Sequence, residues 1–418
     1  VAPPIYLYHP VFLQFRNMMH EAAQNIPSDF RVEVYNFLTS TAAIYQNKYL
    51  RRMSFELPLG RLLGRPIIHA IQSDGTSNDG CIFTSVSYHL ALCLLVETEN
   101  EIGTGGSDPT ARGSYSTRKF WVNDKERYFV NNSCCPTFIL SMAGPWLQIQ
   151  GFVLVDDAVA QPLTDYIWLG GDADIEAQID KVAKVLFALK RSLQSLETYY
   201  QNLSPSPDTD NISHLNPYIT SFSTGTESVK FTYDGRLFPR GSTALFSAQS
   251  ESGRKLVVKF TTKYNHDAHR LLANSGFAPT LYYASSCAVV PGYTMVVMER
   301  IGVDATEVDQ RERTEEMYKK VEQAVDLLHD SGYVFGDLRL VNIVVGKGGD
   351  VYLVDFDWCG KENVDRYPIT LNDTGAITWA NGVGRGTLMR KEHDLYMLRC
   401  LKCDFLVVSL SFPDETHI

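Results

Sequence analysis

The segment Gly336-Asp-Leu-Arg-Leu-Val-Asn342, followed at residues 354–357 by Val-Asp-Phe-Asp, constrains this chain more than any other feature. Asn342 stands five residues after Asp337, and Asp355 stands eighteen after it. Between them the apolar runs Val341 to Val345 and Val351 to Asp355 flank Gly346 to Asp350, which is the pattern of a hairpin. Taken singly, a D-x-x-x-x-N pair and a D-F-D each fit unrelated turns. Taken together, they place two carboxylates and one amide where they are expected to share a site.

That set matches a specific chemistry. In-line phosphoryl transfer from ATP needs an acceptor hydroxyl oriented by a carboxylate, and a metal held by an amide oxygen and a second carboxylate. Asp337 is the candidate for the first role, and Asn342 and Asp355 are the candidates for holding Mg2+. The strand Lys255 to Thr261 (KLVVKFT) resembles the V-A-I-K strand of protein kinases, with Lys259 where the α- and β-phosphates are gripped. The competing account puts that lysine on the outer face of an edge strand. Downstream, His393-Asp394-Leu395 resembles a helix-starting Asp that braces the catalytic loop through backbone amides, or is an ordinary N-cap. Met298 and Glu299, at the end of the strand Thr294 to Glu299, join Gly241, Lys259, Asp267 and Asp355 as candidate ATP-binding residues.

The stretches YVFGDLRLVNIVV, VYLVDFDW, VVKFTTKYNHDAHRLLA and MRKEHDLYML resemble the fungal-type protein kinases over essentially all of 222–403. The resemblance implies a bilobal protein-kinase-like fold that uses ATP and magnesium, with a Ser/Thr hydroxyl as acceptor. Several positions depart from the family pattern. His-Arg-Asp is Phe335-Gly336-Asp337, Asp-Phe-Gly is Asp355-Phe356-Asp357, and the phosphate-covering loop RGSTALFSA has one candidate glycine, Gly241. The helical partner of Lys259, normally Glu, aligns with the shorter Asp267. Nothing like Ala-Pro-Glu lies between Asp355 and Asp394, and 24 residues follow Asp394, so a truncated C-lobe is expected. Two alternatives stay open beside a protein kinase: a nucleotide-binding pseudokinase acting as an interaction module, and a small-molecule kinase.

Composition bounds the rest. At 418 residues, 44% apolar and 21% charged, the chain has material for two globular domains. Residues 202–218 concentrate Pro, Ser, Asp and Asn, so a linker is placed at 202–221, between domains at 1–201 and 222–418. Acidic residues exceed basic ones on both sides of residue 225, by 22 to 16 before it and 26 to 22 after it. Nucleic-acid contact is therefore expected only through a local patch in the N-terminal domain. The scattered cysteines, Cys400-x-x-Cys403 included, read as reduced thiols packed on apolar faces of an intracellular protein. No apolar run reaches membrane-span length. A missing initiator Met suggests a fragment. His266 and His269 lie three apart in a short helix with no third metal ligand imposed by the sequence.

The N-terminal pattern is helices over Val11 to Leu50, strands at 66–72, 88–97, 137–143 and 146–155, then a long helix over Ile175 to Tyr200. This order predicts a mixed sheet flanked by helices, making the whole chain α+β. Asp79, with Asp74 as its rival, and Glu97-Thr98-Glu99 offer the two-carboxylate metal pattern of restriction-type nucleases, with Arg118-Lys119 nearby for phosphate. ENEIGTGGSDP, STRKFW, AGPWLQIQG and QPLTDYIWL resemble the domain that often precedes these kinases, itself related to PD-(D/E)xK nucleases and the Crinkler group. Glu99 stands where the family has lysine, so an inactive, structural or partner-binding derivative is expected.

Overall fold

A computed structural model describes residues 2–21, 26–69, 78–104, 106–123, 127–204, 212–225, 227–238, 243–301, 303–304 and 313–405. They form two compact units that divide between Ile219 and Thr220. Both combine helices with sheets, giving a mixed α and β architecture. Among the described residues no helix is long and apolar enough to cross a membrane.

The first unit opens with helices α1 (Pro10–Met19), α2 (Ser28–Ala42) and α3 (Lys48–Leu63). His9 caps α1 by accepting from the Val11 N–H at 3.2 Å, and Pro10 takes the first helical position, where no N–H is needed. Asn47 caps α3, and Gly64 ends it at a φ of 70°, a left-handed turn that glycine adopts freely. The sheet that follows contains β1 (Gly80–Val86), β2 (His89–Glu99), β3 (Thr137–Ala143), β4 (Trp146–Leu154), β5 (Ala158–Pro162) and β6 (Ile167–Trp168). Its order is β1-β2-β3-β4-β5, with β6 also pairing β4. β2 and β3 run parallel and the other pairs antiparallel. A parallel step needs a crossover, supplied by α4 (Pro109–Trp121) and α5 (Arg127–Val130).

The closing helix α6 (Ile175–Gln201) packs on α1, α2, α3, β1 and β2. With α4 and α6 both packed on it, β2 is buried from Ala91 to Glu99, and so even its two glutamates leave water. The core is aromatic where α4, α5 and α6 meet: Trp121 lies 5.9 Å from Phe129 and 6.0 Å from Tyr200 between ring centroids. The polar ends of these rings are satisfied, Trp121 Nε1 donating to Thr137 Oγ1 and the Tyr200 hydroxyl to the Pro136 carbonyl.

The second unit begins with an antiparallel sheet of β7 (Ser221–Ser223), β8 (Ser228–Arg236), β9 (Ala244–Ser250), β10 (Lys255–Thr261), β11 (Leu281–Ser286) and β12 (Thr294–Glu299), ordered β11-β12-β10-β9-β8-β7. Helix α7 (His266–Asn274) lies between β10 and β11 in sequence. Then come β13 (Val303–Asp304), α8 (Glu315–Asp330), β14 (Tyr333–Val334), β15 (Ile343–Val345), β16 (Val351–Leu353), β17 (Gly360–Lys361) and α9 (Lys391–Phe405). Thr314 caps α8, whose buried face of Met317, Val321, Val325 and Leu328 joins a core with Phe335, Phe356 and Leu398.

Several local expectations change. Residues 66–69 make a single bridge, Ile68 with Cys81, instead of a strand, and the Ile67 side chain fills the space over Gly80; residues 70–72 lie outside the described part. The hairpin over 341–355 is shorter at both ends. Leu340–Asn342 form a 3-10 turn, and the chain leaves β16 before Asp355, which has a φ of 68°. All eight cysteines are free, but Cys400 and Cys403 are exposed, since α9 buries His393, Asp394, Met397 and Leu401 instead.

Gly113 fixes how closely α4 approaches the sheet. A Cβ there would sit 2.6 Å from Ile139 Cγ2, an atom that cannot swing away. Gly113→Val is expected to cost about 1–3 kcal/mol in urea unfolding despite the loss of a helical glycine.

Candidate functional site

Lys259, Asp337, Asn342 and Asp355 line one cavity of about 450 Å3 in the second unit, together with Met298 and Glu299. Its remaining walls include Leu245, Val257, Pro279, Ile301, Val344 and Val354. One part of the cavity is thus apolar, and another carries an ammonium, two guanidiniums, an amide and carboxylates.

Lys259 sits on β10, which is flanked by β9 and β12, so the edge-strand account of this lysine falls. It is 3% exposed. A buried ammonium requires carboxylate partners, and Lys259 Nζ donates to Asp355 Oδ1 at 2.8 Å and Asp357 Oδ1 at 2.7 Å. Burial pulls the lysine's pKa down, but the two carboxylates outweigh it and raise it. Burial pushes Asp355 upward, and the attraction of Lys259 reverses this to a net lowering. Asp357 is pushed up to about 6 by burial and by its neighbour Asp355, against the pull of Lys259.

The Asp337 loop is held from beneath. Asp394 at the start of α9 accepts the Phe335 N–H at 2.7 Å and the Gly336 N–H at 2.9 Å, and His329 Nε2 of α8 lies 3.0 Å from the same carboxylate. Gly336 explains why Arg is absent from that place: its φ is 83°, and a Cβ would overlap the Met389 methyl. Phe335 is fully buried against Phe356, with centroids 5.5 Å apart in an edge-to-face arrangement. Asn342 Nδ2 donates to the Asp337 carbonyl and to its Oδ2, both at 2.8 Å. The Asn342 carbonyl accepts from the Val354 N–H at 2.9 Å, which joins this loop to the residue before Asp355.

Four residues of the site escaped sequence reasoning. Arg339 grips both oxygens of Asp337, at 2.5 and 2.7 Å, and lies 5.7 Å from the centre of the Trp379 ring. Asp357 stands in the site as a second carboxylate, Arg300 lines the cavity, and His329 supports Asp394. The signal for Arg339 was present in its position two after Asp337; the other three depend on long-range contacts.

Asp267 corrects an expectation. It lies in the first turn of α7 with its side chain 67% exposed and its carboxylate 3.4 Å from His266, while Lys259 takes its partners from 355 and 357. A helix of nine residues capped by Asn265 turns Ala268, His269 and Leu272 inward, so Asp267 faces water. His269 is structural: its ring stacks on Phe356 at 4.7 Å and bonds the Tyr264 hydroxyl and the Pro279 carbonyl. Gly241 and Asp74 lie outside the described residues. Leu237, Phe238 and Thr243, which flank the expected phosphate loop, line the cavity.

In the first unit, Asp79, Glu97 and Glu99 are brought together but are already paired with cations. Lys48 of α3 lies 2.8 Å from Asp79, and Arg112 of α4 bonds Glu97 Oε2 at 2.9 Å, pairs with Glu99 and donates to the Thr98 carbonyl. The cation missing from the strand therefore arrives from two helices. Arg118 and Lys119 follow on α4. Among the described residues no group of three His, Cys, Asp or Glu side chains is arranged to hold a metal. A larger cavity of about 710 Å3 beside Glu99 is lined by Glu101, Trp146 and Tyr166, but Glu99 and Glu101 there are committed to Arg112 and Arg51.

No family model matches the chain, and no curated protein matches it. Among solved structures, the chain is similar to the crystal structure of the yeast RNA Pol II CTD kinase CTDK-1 complex, at 14% sequence identity and a TM-score of 0.30. The match covers 41% of this chain and 61% of that one, less than two thirds of its length.

Burial first, and the Asp79 charge next, push Glu97 up to about 7 in spite of Arg112 and Lys48. A raised carboxyl pKa contributes stability that is complete below its unfolded value and is lost as pH rises through the folded value. Between about pH 5 and about pH 8 the wild type is therefore expected to lose roughly 2 kcal/mol more unfolding free energy than Glu97→Gln, measured with urea.

Proposed function

We propose that the cleft of the second unit is an ATP- and magnesium-dependent phosphotransfer site, in a bilobal protein-kinase-like unit that acts on Ser/Thr hydroxyls of a protein. The observation that carries this reading is the convergence of Lys259, Asp337, Asn342 and Asp355 on one cavity. Residues separated by 96 positions in sequence, Lys259 and Asp355, are in direct contact there.

The cavity suits a nucleotide. Leu245, Val257, Ile301 and Val344 offer apolar walls for an aromatic base beside Met298 and Glu299, and Lys259 and Arg339 offer positive charge for phosphates. Asn342 and Asp355 would hold magnesium, which when bound neutralises phosphate charge. Asp337 orients the acceptor hydroxyl and takes its proton as the new P–O bond forms and the bond from the γ-phosphorus to the β-phosphate oxygen breaks.

One observation favours a second reading, a nucleotide-binding module without transfer. Asp337 has Arg339 on both oxygens and Asn342 on one, so its carboxylate faces an acceptor only after the guanidinium moves toward phosphate. In the first unit, the carboxylate trio with its own cations supports a structural or partner-binding domain over a nuclease.

Full-length protein with radiolabelled ATP and magnesium is expected to label itself or a generic basic protein. Asp337→Ala should lower transfer at least about a thousandfold while ATP still raises the melting temperature. Lys259→Met should reduce both. Thermal stabilisation by ATP without transfer to any acceptor would favour the binding module, and undiminished transfer by Asp337→Ala would remove that residue from its role. Plasmid DNA incubated with the protein and magnesium is expected to stay intact; cleavage abolished by Glu97→Ala would restore the nuclease.

A further inference from the structure

Lys259 needs a carboxylate that stays with it, and the helix expected to supply one does not. Asp267 of α7 is exposed and paired with His266. Asp355 contacts Lys259, yet in the phosphotransfer reading that same carboxylate holds magnesium and shares its charge with the metal. Asp357 has no such second duty: one of its oxygens accepts Lys259 Nζ at 2.7 Å, and the other accepts the Thr261 hydroxyl at 2.9 Å. Lys259 and Thr261 are two apart on β10 and therefore on the same face of that strand. Asp357 thus spans the strand at two points, which fixes its carboxylate better than a single ion pair would.

The backbone that carries it is also held. The Phe356 carbonyl accepts the Asn265 N–H at 3.1 Å, the Phe356 ring lies on His269 with 6° between planes, and the Cys359 carbonyl accepts from Asn265 Nδ2 at 3.2 Å. Helix α7 therefore grips the segment 356–359 through its cap and one inward histidine, not through an ion pair with the lysine.

We infer that Asp357 is the residue that positions Lys259 for nucleotide phosphates, a task transferred from α7 to the segment after Asp355, with α7 acting on the cleft through its hold on residues 356–359. This inference rests on the phosphotransfer reading. It makes the aspartate in place of glycine at 357 a functional substitution, and it makes Asp267 dispensable.

The test measures ATP affinity by calorimetry and steady-state transfer with full-length protein, for wild type, Asp357→Asn, Asp357→Glu, Asp267→Ala, Lys259→Met and the Asp357→Asn/Lys259→Met double variant. Asp357→Asn is expected to weaken ATP binding and raise its KM at least about tenfold with kcat changed less than about threefold. Asp357→Glu should recover most of the affinity, and Asp267→Ala should stay within about twofold of wild type. In the Lys259→Met background the Asp357 substitution should have no further effect, because it acts through the lysine. Wild-type affinity in Asp357→Asn would overturn the inference alone, and so would a loss that persists undiminished in the double variant. A rise in the magnesium requirement with metal-free ATP binding intact would also overturn it, by making Asp357 a metal ligand. A wild type that binds no ATP would instead remove the phosphotransfer reading, and this inference with it.

Discussion

The buried carboxylate of Asp394 is the constraint on which the second unit's site depends. It is 1% exposed, and a carboxyl group so far from water is tolerable only when its oxygens are met by donors. Two backbone N–H groups and the His329 ring meet them. Because both N–H groups belong to consecutive residues, Phe335 and Gly336, the carboxylate sets the direction of the backbone entering Asp337. Bonds from main-chain N–H groups to a carboxylate are strong and directional, and here they hold the entrance to a loop whose later part is a short 3-10 turn.

From that fixed point the rest of the site is assembled by small linked contacts. Gly336 takes a φ that residues with side chains rarely adopt and lets Met389 pack over the loop. Phe335 and Phe356 lock edge to face, and Phe356 in turn stacks on His269 of α7. Asn342 reaches back to Asp337 by its side chain and forward to Val354 by its carbonyl. The departures from a kinase pattern are mutually consistent in this light. The phenylalanine at 335 is a core residue, the support for Asp394 comes from a histidine on α8, and the carboxylates that meet Lys259 are those of Asp355 and Asp357.

The first unit illustrates the opposite use of charge. Asp79, just before β1, lies beside Glu97 and Glu99 at the end of β2, and three carboxylates in so little water would repel one another strongly. Lys48 and Arg112 supply the opposing charge from helices placed by the N-terminal packing and by the β2–β3 crossover. The cluster reads as a closed ion-pair network whose balance is built into the fold.

The sequence by itself determined which segments are helices and strands where periodicity is long and unambiguous. β3 and β10 fall on their expected bounds, and α6 within one residue, because buried strands read as apolar runs and a long helix repeats its apolar stripe. It also determined the spacing of Asp337, Asn342 and Asp355, since a motif joined by a short turn is local chemistry. It missed β1, β5, β8 and β11, whose mixed residues take their strand character from neighbours. Only the tertiary structure decided which carboxylate serves Lys259, which histidine supports Asp394, and which cations meet Glu97 and Glu99. These contacts join side chains from 13 to 98 residues apart, and their existence depends on how helices pack, a quantity that no local spacing encodes.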